Sequence, residues 1–211
     1  MIKNSVLILI LLITTSIYSQ NFEGKVIYQN TYESKTQNVS NEQLNLLMGT
    51  LQEYIIKDGN YKSIFNGQFN QFQLYRSVEN KLYNKFSNAE ALFWSDGAIE
   101  GEKVVDLNII KNKETILGVN CDELTMKTTK GVYVYYYNAK YSITPDFFKG
   151  HLFGNWYFYV KESKAVPLKI VMYTPEFKST STAIKIEEYK VDDTYFELPK
   201  LPLKPISALG G

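Results

Sequence analysis

Residues 52–66 read QEYIIKDGNYKSIFN. Two runs rich in Tyr, Ile and Phe flank Asp58-Gly59. β-branched and aromatic side chains favour a pleated surface. Asp-Gly tolerates the two positive φ angles that a tight type I′ turn requires. The stretch therefore predicts an antiparallel hairpin, and hairpins joined by short turns make an antiparallel meander. Its neighbours repeat the theme at the spacing expected of such a sheet. FEGKVIYQN (22–30) predicts a first strand, and QFQLYRSVENKLYNKFS (71–87) a second hairpin turning at Glu79-Asn80. ALFWS (91–95) predicts a short strand before Asp96-Gly97. ETILGVNCDELTMKTTKGVYVYYYN (114–138) predicts one pair of strands turning at Thr129-Lys130-Gly131. NWYFYVKESKAVPLKIVMYT (155–174) predicts another, turning around Glu162-Ser163-Lys164, and STAIKIEEYKVDD (181–193) a last long strand.

One segment breaks this rhythm. SNEQLNLLMGTL (40–51) places Leu44, Leu47, Met48 and Leu51 at i, i+3, i+4 and i+7, the apolar face of a helix. Ser40 with Gln43 three residues on has the form of a capping box. A second short helix is predicted from Pro145 in TPDFFKG, because proline suits a first helical position. The fold class expected is mainly β (α+β), a single antiparallel domain over 20–198 with one or two helices. The tail 199–211 carries Pro199, Pro202 and Pro205, which bar it from a central strand and predict an extended surface path.

The chain opens MIKNSVLILILLITTSIYSQ. Lys3, an apolar run from Val6 to Ile13 and small residues before Ser19-Gln20 form the pattern of a secretory signal peptide over 1–19. The alternative, a membrane anchor, needs roughly 20 predominantly apolar residues. No cysteine lies near the cleavage site for lipid attachment. The expected location is the periplasm or the cell surface, with membrane contact peripheral at most. Removal of 19 from 211 residues leaves 192, enough for one domain with a real core. Losing Lys3 leaves 22 basic against 22 acidic residues, a balance that argues against nucleic acid as a partner. Cys121 is the only cysteine, and a lone cysteine on a strand reads as a small buried hydrophobe.

GVYVYYYN (131–138) puts Tyr133, Tyr135 and Tyr137 on one face of a strand and Val132, Val134 and Tyr136 on the other. NWYFYV, read as a strand, sets Trp156 and Phe158 against Tyr157 and Tyr159. A sheet with one wet face alternates more cleanly. Two explanations stand side by side. In one, a curved sheet packs its concave face on a helix and leaves tyrosine hydroxyls in water on the other. In the other, the sheet encloses an aromatic cavity for an apolar ligand.

FEGKVIYQ, YIIKDGNYKS, ETILGVNCDELTMKT, ITPDFF, VPLKIVM and FELP follow one another along most of the mature chain. In this the sequence resembles the GLPGLI-type secreted proteins of the Bacteroidota and their related domain of unknown function. Gly118 and Cys121 match their Gly–x–x–Cys pattern. The motif that names the family is absent, and HLFGNWYFY (151–159) stands roughly where it would fall. The resemblance implies a half-barrel, a curved antiparallel sheet with helices across its opening. That fold is similar to the periplasmic lipoprotein carrier and its outer-membrane receptor, which hold acyl chains in the concavity.

Catalytic signals are few. His151 is the only histidine, so a multi-His metal site has nothing further to draw on; beside Gly150 it reads as a loop residue. There is no G-x-S-x-G elbow, P-loop or C-x-x-C. Asp122-Glu123, Glu187-Glu188 and Asp192-Asp193 are adjacent pairs whose members point to opposite faces of a strand. No catalytic residue, cofactor or metal is expected. The leading expectation is a non-enzymatic envelope module for an apolar or amphiphilic, lipid-like ligand. Leu44, Leu47, Met48 and Leu51 would cover the site, and Tyr133, Tyr135, Tyr137, Trp156 and Phe158 would line it. The alternatives are an envelope interaction protein with a filled core, whose partner is another envelope protein, and a hydrolase or glycan-binding protein using aromatic platforms.

Overall fold

The structure is a computed structural model, and residues 21–209 are described. The segment read as a signal peptide lies outside them. The elements run β1 (Gly24–Ser34), α1 (Asn41–Met48), β2 (Leu51–Lys57), β3 (Asn60–Phe65), β4 (Asn70–Arg76), β5 (Lys81–Phe86) and β6 (Leu92–Asp96). They continue with β7 (Val104–Ile116), β8 (Val119–Thr128), β9 (Val132–Ser142), α2 (Trp156–Ser163), β10 (Ala165–Tyr173), β11 (Phe177–Glu188) and β12 (Leu203–Pro205). All twelve strands form one curved, unclosed sheet in the order β12-β6-β5-β4-β3-β2-β1-β11-β10-β9-β8-β7. Every pairing is antiparallel except β12 with β6.

The opening hairpin forms as its sequence requires. Asp58 and Gly59 sit at φ 45° and 80° between β2 and β3. Asn80 turns β4 into β5 at φ 48°, and Thr129-Lys130-Gly131 joins β8 to β9. The capping box at α1 is complete: Gln43 N donates to Ser40 Oγ, and Ser40 N donates to Gln43 Oε1. Pro145 opens a 3-10 turn, Pro145–Phe148.

Two expectations require correction. Residues 114–128 are not one strand. Leu117 and Gly118, at φ 50° and 74°, form a hairpin between β7 and β8. Leucine in the left-handed region costs roughly 1–2 kcal/mol and is not a turn residue, so only Gly118 marked the reversal. Upstream, β7 reaches back to Val104, ten residues before the predicted strand start at Glu114. Residues 156–163 are not a strand either but the helix α2. Its aromatic residues favour strands individually, yet Trp156, Tyr159, Val160 and Ser163 stand at i, i+3, i+4 and i+7. Tyr159, Val160 and Ser163 are buried and Trp156 is half-buried beside them. Lys164, left-handed at φ 53°, ends the helix by donating its N–H to Val160 O.

The concave face carries the main core. Tyr28, Tyr54, Tyr61, Leu124, Met126, Tyr135, Tyr137 and Leu168 pack there against Phe148 and the buried face of α2. A smaller core lies on the opposite face of β2, β4 and β5, where Ile55, Leu74 and Tyr83 meet Val191 and Phe196 of the segment after β11. Both faces of β2 are thus covered, so Tyr54, Ile55 and Ile56 are consecutive and all buried. The chain then reaches β12, which pairs with the outer side of β6 using Leu203, Lys204 and Pro205. Pro167 interrupts β10 inside the sheet. The register shifts on both sides of it, as a strand that lacks an N–H donor requires, and its carbonyl accepts from Tyr28 OH at 2.6 Å.

Candidate functional site

The strand order decides where a ligand-accessible site exists. β6 lies beside β12 at one end of the sheet and β7 is the edge at the other. Residues 97–103, which join them, therefore cross the mouth of the half-barrel. The crossing strap is tied to the excursion between β9 and β10. Leu152 N and Phe153 N donate to Gly97 O at 2.7 and 3.0 Å. Asn155 Nδ2 donates to Glu102 O at 3.0 Å, and Thr129 N donates to Lys103 O at 3.1 Å. Gly101 lies so close to Asn155 that a Cβ there would sit 2.6 Å from its backbone nitrogen. Asn80 holds the far side, donating from Nδ2 to Gly150 O at 2.9 Å and accepting from Tyr75 OH at 2.9 Å.

On either side of this strap the surface is hollow. One hollow, of about 380 Å³, has the apolar side chains of Val104, Leu152, Tyr157 and Phe158 with Lys103 and Lys161 at its borders. The other, of about 470 Å³, is bordered by Ile99, Lys103, Lys130, Tyr133 and Phe153. They share Glu100, Gly101, Glu102, Lys103 and Asn155, so they are two halves of one mouth groove. Burial and the neighbouring Glu102 carboxylate raise the Tyr133 phenol pKa. Glu102 also accepts from Thr128 Oγ1.

Of the residues expected to form a ligand site, the structure brings Tyr133 and Phe158 into this groove. Tyr135 and Tyr137 do not reach it. They pack on Tyr159 of α2, the Tyr135 ring stacked at 4.2 Å and the Tyr137 ring edge-on at 6.4 Å. Trp156 turns inward and lies 5.4 Å from Tyr159 and 5.9 Å from Tyr61. The concavity behind the tyrosine row is therefore occupied by the protein's own helix. The expected cover also lies elsewhere. Leu44 is half-buried, whereas Leu47, Met48 and Leu51 are exposed, and none of the four belongs to the concave core or borders the groove. α1 rests instead on the loop before β4, where Gln68 N and Phe69 N donate to Leu46 O and Leu47 O.

His151 is a loop residue by position yet is 1% exposed. Its Nε2 shares a 2.7 Å hydrogen bond with Tyr61 OH, and its ring lies 4.1 Å from that of Tyr75. Burial pushes its pKa down to about 3, so the imidazole is neutral. The Nδ1 of His151, the hydroxyl of Tyr54 and the indole nitrogen of Trp156 are buried with no hydrogen-bond partner among the described residues. Cys121 is fully buried, its thiol donating to Val119 O at 3.4 Å, and burial raises its pKa. Among the described residues, no three His, Cys, Asp or Glu side chains are placed to hold a metal, and no helix is long and apolar enough to cross a membrane.

No protein-family model matches the chain, and a search of curated proteins found no match. Among solved structures the chain is similar to PNGF-II in two crystal forms. The form in space group C2 is 13% identical, with a TM-score of 0.46 over 88% of this chain and 32% of that one. The form in space group P21 is 14% identical, with a TM-score of 0.48 over 89% and 32%. The chain spans about a third of the length of these solved structures.

The groove was not legible in the sequence because its walls come from four places: the strap, the start of β7, the β8–β9 turn and α2. Lys103 and Val104 fall in a stretch without clean alternation, and the aromatic run that carries Phe158 has strand propensity but forms a helix. The usable signal was the helical spacing of Trp156, Tyr159, Val160 and Ser163, which leaves Tyr157, Phe158 and Lys161 on the other side.

Proposed function

We propose that this chain is a non-enzymatic binding module of the bacterial envelope that takes an apolar or amphiphilic small ligand at the mouth of its half-barrel. The observation that carries this reading is the hollow floored by Val104, Leu152, Tyr157 and Phe158 beside the strap. At about 380 Å³ it is within the size range of small-molecule sites, which are mostly apolar with a few polar groups. The ligand lies across the opening, over the outer side of α2, because the inner side is filled by Tyr159 and Val160. The resemblance to secreted half-barrel proteins supports export and ligand carriage by analogy alone. The neutral, enclosed state of His151 leaves it without access to a substrate, which favours binding over catalysis.

The test is organic extraction of the protein purified from its own host without detergent, followed by mass spectrometry against a control protein. A homogeneous species present at stoichiometric amount, and lost on Phe158→Ser, is the expected result. An empty extract refutes the reading.

A specific observation favours the second reading, an interaction protein of the envelope. Leu46, Leu47, Met48 and Phe69 are exposed together at one end of the sheet. The segments that carry them, 36–52 and 66–73, hold one charged residue, Glu42. Charge depletion with exposed Leu, Met and Phe is the composition of an interface core. Crosslinking in the host that captures one envelope protein through this tip, and loses it on Leu47→Ser, would favour that reading.

A further inference from the structure

Most lysines among the described residues have a partner for the ammonium group: a carboxylate, a backbone carbonyl or the face of an aromatic ring. Seven have none. Three of these seven, Lys103, Lys130 and Lys161, border the mouth groove. All three are exposed, and a lysine stem can lie along apolar surface while its charged end stays in water. Lys103 belongs to both halves of the groove, Lys161 to the half floored by Phe158 and Lys130 to the half beside Tyr133. The same rim carries two carboxylates. The Glu102 carboxylate accepts from the Thr128 hydroxyl, and with Glu100, which is exposed and without an ion pair, the rim sets three ammonium groups against two carboxylates and stays net positive.

From this placement we infer that the groove selects a single-chain anionic amphiphile, with its tail on Val104, Leu152 and Phe158 and a carboxylate or phosphate headgroup on Lys103 with Lys161 or Lys130. The inference rests on the binding-module reading and names the class of ligand for it. An ammonium meeting an anion at the edge of an apolar surface forms a charge-assisted hydrogen bond that water weakens less than in the open. The modest volume suits one chain rather than two. Because the lysines are exposed, the selection must also weaken as salt screens them.

The experiment is titration of the full chain with four probes that share one tail: dodecanoate, dodecyl phosphate, dodecanol and dodecyltrimethylammonium, each below its micellar concentration. Both anions are expected to bind roughly ten-fold or more tightly than the cation, with dodecanol between. In the Lys103→Gln/Lys130→Gln/Lys161→Gln variant the anions lose roughly ten-fold while dodecanol is unchanged. None of these ammonium groups has a partner in the fold, so circular dichroism of the variant should match the parent, and Lys161→Gln alone gives a smaller loss in the same direction. The stronger of the two anions names the headgroup. If the four probes bind alike, or the cation binds best, the headgroup inference is overturned and the binding module stands. If no probe binds, dodecanol included, both are overturned.

Discussion

Lowering the pH from 7 to 5 is expected to destabilise this protein through one residue. His151 is 1% exposed and its neutral ring packs against Tyr75 at 4.1 Å. Burial lowers its pKa from 6.5 to about 3. The unfolded chain takes up a proton near pH 6.5, whereas the folded protein does not until about pH 3. Between those values the unfolded state holds one more proton, so stability is complete above pH 6.5 and falls as the pH drops, by about 1.4 kcal/mol per unit. From pH 7 to pH 5 the loss integrates to about 2 kcal/mol. Carboxylates with lowered pKa values, such as Asp122 and Glu187, add to the loss only as they titrate below about pH 4.5, so this window belongs to the histidine. Urea denaturation at pH 7, 6 and 5, followed by far-UV circular dichroism, measures it. His151→Phe keeps a flat ring against Tyr75 but strands the hydroxyl of Tyr61, so it should be less stable at pH 7 and show no slope from 7 to 5. A wild-type protein equally stable at pH 7 and pH 5, or a slope that survives in His151→Phe, refutes the reasoning.

Other expectations follow from the same contacts. Tyr159→Ala removes a fully buried ring stacked on Tyr135 and should cost about 3–5 kcal/mol in denaturant unfolding; a loss below about 1 kcal/mol would mean that α2 is not part of the core. Tyr159→Phe removes only the hydroxyl that donates to Ala165 O at 3.0 Å and should cost about 1–3 kcal/mol by the same measurement. Two turn glycines separate backbone strain from crowding. Gly118→Ala has open space around its new Cβ and should cost about 1 kcal/mol, whereas in Gly59→Ala the Cβ meets Phe147 Cβ at 2.6 Å and the loss should be larger; equal melting temperatures would contradict this. Ser40→Ala breaks the capping box of a helix with no buried residue. Hydrogen exchange should quicken at the amides of α1 and little change should appear in global unfolding, and a large fall in global stability would show that α1 is part of the cooperative core.

Local chemistry made much of the fold legible. Asp58-Gly59, Thr129-Lys130-Gly131 and the Ser40–Gln43 box act over a few residues, so their turns and cap stand where the sequence places them. The alternation of the flanking strands likewise depends on neighbours alone, and from these features a mainly antiparallel β domain follows. Leu117 and residues 156–163 went against local preference. Leu117 holds a left-handed turn because β7 and β8 pair on both sides of it, and an aromatic run becomes α2 because Tyr159 and Val160 fill the concave face as a helix. Such choices are made by burial against distant strands, and no short window contains them. The same holds for His151, whose place among Tyr61, Tyr75 and Trp156 depends on residues up to 90 positions away. The mouth groove is the fullest case. Lys103, Lys130, Phe158 and Lys161 border one groove only because the strand order sends the 97–103 strap across the opening. The sequence by itself determined that this chain makes hairpins and caps one helix; which residues meet at the mouth was decided by the tertiary structure, since that depends on strand order, sheet curvature and packing rather than on local backbone preference.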